Sequence, residues 1–139
     1  AAQMRTLLPL ADVVKLSDEE TALLTDAAEP AEAARRLLAQ GVSCAAVTLG
    51  EKGALVVVRD GMQIVPAFPS DPVDTTGAGD SFWGGFLHRM LALNKRPAAL
   101  TVSDTADCAR WGNAVAACCI TRRGAIPAMP SPQEVLPLL

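Results

Sequence analysis

The residues richest in chemistry stand together in Val73-Asp74-Thr75-Thr76-Gly77-Ala78-Gly79-Asp80-Ser81-Phe82-Trp83-Gly84-Gly85-Phe86. Two glycines flank an alanine where an apolar, helix-periodic run begins, so ligand atoms can approach the backbone closely. The first amides of a helix lack an internal partner and carry the positive end of its dipole, which draws anions, phosphate above all. Asp80 falls in that first turn, where the dipole favours an ionised carboxylate able to take a proton. A site made only to hold phosphate gains nothing from a carboxylate beside it. The combination makes sense if a hydroxyl loses its proton to Asp80 as it attacks a phosphoryl group whose charge the amides stabilise. Read as structure alone, the same residues are a glycine-rich helix start with an ordinary first-turn acid; the loop by itself leaves both readings open.

Two commoner phosphate motifs fail. A P-loop needs G-x-x-x-x-G-K-[ST]; Gly79 to Gly84 has the spacing, but Gly85 stands where the lysine belongs. A dinucleotide G-x-G-x-x-G starting at Gly77 would need glycine where Phe82 stands, which weakens an oxidoreductase reading. Cys44, Cys108, Cys118 and Cys119 show no C-x-x-C spacing and His88 is the sole histidine, so no zinc cluster is implied. The thiols read as free and buried in a reducing cytoplasm. His88 lies two helical turns beyond Asp80, too far to orient it, and reads as a surface or packing residue.

The elements that must position the loop alternate. Asp12–Leu16 reads as a short strand, and Ser17-Asp18-Glu19-Glu20 as a capping box opening a helix through Leu24. Pro30 in a first turn, a stripe of Ala34, Leu37 and Leu38, and Gly41 just past the end place a second helix over Ala31–Gln40. Val42–Leu49 is apolar almost throughout, as suits a strand covered on both faces. Gly50–Gly53 is a tight turn into a strand over Ala54–Arg59, and Asp60-Gly61 signals a hairpin into Met62–Val65. After a loop over Pro66–Thr76, helices are expected from about Ala78 to Leu93 and from about Thr101 to Ile120. A small-residue string (Ala106, Ala109, Ala114, Ala116, Ala117) allows the second of these to pack closely. Phe82, Trp83, Phe86 and Met90 recur at helical spacing and read as core, and packing is also the plainer reading of Trp111. A last short helix starts near Ser131-Pro132. Strands alternating with helices indicate an α/β layer structure.

Composition bounds the rest. With 139 residues, half of them apolar, the chain suits one ordered domain, 1–139. A net charge of −3 argues against a phosphate-tracking nucleic-acid binder. No window nears the roughly 18 apolar residues of a membrane span. The apolar run 7–14 is broken by Pro9 and Asp12 and does not read as a signal peptide.

The chain resembles the nucleotide-binding, C-terminal half of a ribokinase-like (PfkB family) carbohydrate kinase, and within that family the fructokinases. Asp74-Thr75-Thr76-Gly77-Ala78-Gly79-Asp80-Ser81-Phe82 matches the family's D-T-x-G-A-G-D-x-F signature throughout. Three further blocks follow the family's order: Ala11–Glu20, Thr48–Ala54, and Asn113 followed by Thr121-Arg122-Arg123-Gly124-Ala125. The resemblance spans about residues 11 to 130. It implies a Rossmann-type three-layer α/β/α fold, here its C-terminal portion only, and ATP-dependent phosphorylation of a sugar in the cytoplasm.

Roles implied by the resemblance fall on individual positions. Asp80 would be the catalytic base, with the Gly77, Ala78 and Gly79 amides as an anion hole. Thr48, Gly50, Glu51, Lys52 and Gly53 would line the ATP pocket, and Asn113 would lie by the adenine. Asp74 and Thr76, with carbonyls of Cys119, Arg122 and Gly124, would hold a monovalent cation such as K+. Ala128 stands where some relatives carry a serine at that site. Many relatives read N-x-x-E after the first strand, where the glutamate organises Mg2+ through water; Glu20 fits, while Ser17 replaces the asparagine. The string Lys15-Leu16-Ser17-Asp18-Glu19-Glu20 follows the fructokinase form and favours fructose as acceptor. The family's sugar-binding residues and lid lie mainly in an N-terminal half without counterpart here. The chain is therefore expected to be a fragment, inactive toward sugar alone, whose full-length form can be a homo-oligomer. The rival reading is a non-catalytic nucleotide-binding or interaction module derived from such a kinase.

Overall fold

The computed structural model describes residues 2–139. Its sheet has the order β1-β2-β3-β4, with β1 (Val13–Ser17) parallel to β2 (Cys44–Thr48), and β3 (Ala54–Val58) and β4 (Gly61–Val65) each antiparallel to the strand before. Two helices cover one face: α2 (Asp18–Thr25) and α3 (Pro30–Ala39) lie between β1 and β2 in sequence. Their Leu24, Ala34 and Leu37 pack on Leu16, Val47, Leu55 and Val57. On the other face Ala46, Val56 and Val58 meet Phe82, Phe86 and Met90 of α4 (Ala78–Ala92) and Cys108 and Ala109 of α5 (Val102–Cys119). The three-layer α/β/α arrangement expected from the sequence is the one observed. Because both faces are covered, β2 and β3 are apolar at nearly every position. At the edge, β4 leaves Met62, Gln63 and Ile64 exposed.

The capping signals act where expected. Glu20 accepts from the Ser17 amide at 2.8 Å, and a capping box not singled out from the sequence has Asp104 accept from the Thr101 amide at 2.9 Å. Helix α6 (Pro132–Val135) starts after Ser131, whose amide donates to Glu134 at 2.8 Å. One element was illegible beforehand. Helix α1 (Ala2–Leu7) is only six residues long, too short to display a period, and stops ahead of Pro9. Arg5 ties it to the rest through Asp26 at 2.7 Å and the Leu23 carbonyl at 2.6 Å. Val13 and Val14 of the edge strand β1 are half-buried, whereas Met4, Leu7, Leu10 and Leu23 around α1 are exposed.

The strand register lines up Ser17, Thr48, Ala54 and Val65 in one row across the sheet. The segments 18–20, 49–53 and 66–76 all leave from that row, so the loops singled out in the sequence share one end of the fold. Helices α4 and α5 are held together by their smallest residues. A Cβ on Gly85 would come within 2.7 Å of the Val115 side chain, and one on Gly112 within 2.7 Å of the Phe82 carbonyl oxygen. The second neighbour is backbone and cannot move aside.

Gly112→Ala should therefore destabilise the protein. Overpacking costs about 1–3 kcal/mol and outweighs a gain in helix propensity of at most about 1 kcal/mol. A thermal melt in which the variant is as stable as the parent would contradict this packing.

Candidate functional site

The site is built on the first turn of α4. Gly77 is its N-cap, with φ +80° and ψ 4°, a left-handed conformation that side chains resist. Its missing Cβ has a second reason: one would sit 2.7 Å from the Cβ of Ala125. The Ala78 amide turns back to the Thr75 carbonyl at 3.1 Å, and the Ser81 amide to Gly77 at 2.8 Å. The Gly79 and Asp80 amides between them have no hydrogen-bond partner among the described residues. Asp80 itself is exposed, while Gly77, Ala78 and Gly79 are half-buried.

A clamp holds this mouth from behind. The Asp74 carboxylate accepts from the Thr76 amide at 2.9 Å through one oxygen and from the Gly124 amide at 2.9 Å through the other. The Ile120 carbonyl takes the amides of Val73 at 2.7 Å and Asp74 at 3.1 Å. Donation from the Thr76 hydroxyl, then from the Gly124 and Thr76 amides, with the Arg123 charge adding, holds the Asp74 carboxyl down at about 2. Of the five residues assigned to a monovalent cation, Asp74, Thr76 and Gly124 are thus brought together. The Cys119 carbonyl accepts the Arg122 amide at 3.2 Å, and the Arg122 side chain turns away to pair with Glu134 of α6.

A cavity of about 680 Å³ opens in front of the mouth, reaching from Thr75 and Ala78 past Gly50 and Glu51 to Asn113 and Ile120. Gly50 and Glu51 border it; Lys52 is exposed on the same turn, and Thr48 is half-buried with its hydroxyl 3.4 Å from the Leu16 carbonyl. Gly53 has a different task. It is buried, and a Cβ on it would run into the Val65 carbonyl oxygen, so its bareness serves the chain's own backbone. Asn113 borders the cavity, but its amide nitrogen donates to the Val65 and Pro66 carbonyls, each at 3.0 Å. Exposed Glu20 spends one oxygen on the helix cap. No three His, Cys, Asp or Glu converge as a metal cage among the described residues. Divalent magnesium suits this donor set only if phosphate oxygens and water supply most of its shell.

Two parts of the site escaped the sequence reading. The 66–76 connection forms a wall of the cavity through Ala67, Phe68, Pro69 and Ser70, with Arg110 stacked over the Phe68 ring at 5.3 Å. A lone aromatic in a proline-rich loop was the available signal. Lys15 is the other: a Cβ on Gly79 would lie 2.8 Å from its ammonium nitrogen. Trp111 lies against His88, ring centres 5.4 Å apart, and is a packing residue as expected. Cys44, Cys108 and Cys119 are buried and free. No helix among the described residues is long and apolar enough to cross a membrane.

Comparison with known proteins agrees with the geometry. Residues 1–132 match the model of the pfkB family carbohydrate kinases. The chain is 36% identical over 140 residues to fructokinase-1 of Zea mays, covering 99% of this chain and 42% of that protein. A fructokinase of Vibrio alginolyticus is 33% identical over 127 residues, 91% of this chain and 40% of the relative. Among solved structures, the fructokinase of Vibrio cholerae O395 with fructose, ADP and calcium ion bound superposes with a TM-score of 0.84 at 35% identity, covering 99% of this chain and 44% of that one. An aminoimidazole riboside kinase of Salmonella enterica, complexed with its riboside and an ATP analogue, gives 0.82 at 31% identity, covering 99% and 45%. The chain spans about two fifths of the length of these relatives.

Two outcomes follow from the clamp and the cavity wall. Because the Asp74 carboxyl is held at about 2 in the folded chain, below its ordinary 3.8, its contribution is complete only above about pH 5 and is lost progressively as pH drops toward 2. The protection of the Thr76 and Gly124 amides, taken against their intrinsic exchange rates at each pH, should fall over that interval, and Asp74→Ala should lower it at neutral pH; unchanged protection in the variant would refute the clamp. Asn113→Ala leaves two carbonyls short of a donor and should cost about 1–3 kcal/mol in denaturant unfolding.

Proposed function

The chain belongs to the pfkB family of carbohydrate kinases, and from that premise we propose that it is the ATP-binding, phosphoryl-transferring portion of a fructokinase-like sugar kinase. ATP lies along the cavity from Asn113 and Gly50 toward Ala78, with its γ-phosphate at the mouth of α4. A sugar hydroxyl attacks the γ-phosphorus as Asp80 takes its proton, and ADP departs. Amides in the Gly77-Ala78-Gly79 segment offset the charge on the transferring group, so the work is alignment and electrostatics. The observation that carries the reading is an exposed Asp80 in the first turn of a helix whose Gly79 and Asp80 amides lack partners and whose first residue, Ala78, lines a cavity shared with Gly50 and Glu51.

Two ions fit the donors present. Glu20 has a carboxylate oxygen to spare for water on an ATP-bound Mg2+, which would neutralise phosphate charge. Asp74, Thr76 and Gly124, with neighbouring carbonyls, suit a hard cation such as K+, which would add fixed positive charge behind the anion hole. Fructose is the favoured acceptor because the relatives reported are mainly fructokinases. A second reading is a nucleotide-binding module derived from such a kinase, without sugar turnover of its own.

Asp80→Asn in the intact protein should lower kcat by about a hundred- to ten-thousandfold while leaving ATP affinity near the parent's. Near-normal turnover would remove Asp80 from the base role. Calorimetry with ATP and with fructose separates the two readings, since a module binds ATP and is indifferent to the sugar.

A further inference from the structure

The segment 66–76 borders the cavity as a strap fastened to α5 at both ends. At its start the Asn113 side chain donates to the Val65 and Pro66 carbonyls, and at its finish the Ile120 carbonyl accepts from the Val73 and Asp74 amides. Between those ties, residues 67–72 make no backbone–backbone hydrogen bond among the described residues. Pro66, Pro69 and Pro72 restrict the backbone but bring no amide donor to tether it. Arg110 reaches the middle of the strap. It lies one turn before Asn113 on the same face of α5, with its guanidinium carbon 5.3 Å from the centre of the Phe68 ring. None of the ion pairs among the described residues includes this exposed arginine. Its guanidinium also donates to the Leu139 carbonyl at 2.9 Å, which fixes the group in place over the ring. The ring held in this way lines the cavity. Asn113, Ala116, Ala117 and Ile120 line it too, in steps along α5 toward the clamp behind the mouth of α4. Phe68, beside Arg110, therefore stands at the end away from the phosphate-binding turn. An aromatic wall near the small side chains of Ala116 and Ala117 suits a flat group that stacks.

We propose that Arg110 is a positioning residue that holds Phe68 as a stacking wall for the base of the nucleotide. The inference rests on the nucleotide reading above and extends it to the end of the cavity remote from the chemistry. Arg110 acts through the ring and touches neither base nor phosphate. Without it the middle of the strap is free to swing, and the nucleotide must order Phe68 as it binds, at a cost in affinity. Arginine suits this post better than lysine, because a planar guanidinium lies on a ring while keeping a donor for the Leu139 carbonyl.

The test compares ATP with inorganic tripolyphosphate, which has no base, by calorimetry. It uses the intact protein, Arg110→Gln, Arg110→Lys, Phe68→Leu and the variant carrying both Arg110→Gln and Phe68→Leu, with circular dichroism to check that each folds. Expected for Arg110→Gln is a loss of about three- to tenfold in ATP affinity, with tripolyphosphate binding unchanged and partial recovery in Arg110→Lys. Phe68→Leu should lose about five- to a hundredfold for ATP alone, and adding Arg110→Gln to it should cost nothing more. Equal losses for both ligands, unchanged ATP affinity in Arg110→Gln, or a further loss in the double variant would overturn the role of Arg110 and leave the nucleotide reading standing. A parent protein that does not bind ATP would instead overturn the nucleotide reading itself.

Discussion

Bare amides attract an anion only if nothing else in the protein satisfies them and nothing lets them drift. These demands oppose each other, since partners are what normally hold a backbone still. The fold meets both by placing its restraints one step behind the exposed groups. Gly77 bends left-handed against Ala125, the Asp74 carboxylate bridges the amides of Thr76 and Gly124, and the Ile120 carbonyl fastens Val73 and Asp74. The Gly79 and Asp80 amides then stay uncommitted in front of a fixed support. The rest of the molecule positions that turn.

That positioning comes from the sheet. Because Ser17, Thr48, Ala54 and Val65 fall in one register row, every loop leaving the row arrives at the same end as the mouth of α4. The close contact of α4 and α5 through Gly85 and Gly112 then sets how far the mouth stands from Asn113 and Ile120 on the opposite wall. Several residues of ligand-binding type turn out to serve this scaffold. Gly53 makes room for the Val65 carbonyl, Asn113 pins the Val65–Pro66 backbone, and Glu20 caps α2. A structural task does not prevent a residue from bordering a ligand, as Asn113 illustrates at the cavity wall.

Much of this was legible before any coordinates. The almost continuous apolar run of β2 announced a strand covered on both faces, and the capping residues Ser17 and Ser131 marked helix starts. The D-T-T-G-A-G-D string located the turn with the chemistry. Contacts between segments distant in sequence were not legible. Lys15 and Gly79 are 64 residues apart in the chain, and Asp74 and Gly124 are 50 apart; no local period or spacing carries such a pairing. The wall formed by Phe68 was missed because the 66–76 segment has no period, and α1 because six residues are too few to have one.

The division has a physical basis. Local steric preference and hydrophobic periodicity act over a few residues, so the sequence alone determined the elements, their layering, and a helix start suited to an anion with a carboxylate beside it. Whether a given glycine, asparagine or lysine faces ligand space or its own chain depends on which remote backbone lies next to it. Only tertiary packing decided that Gly53 is filled by Val65, that Gly50 opens on the cavity, and that the Lys15 ammonium sits at the mouth of α4.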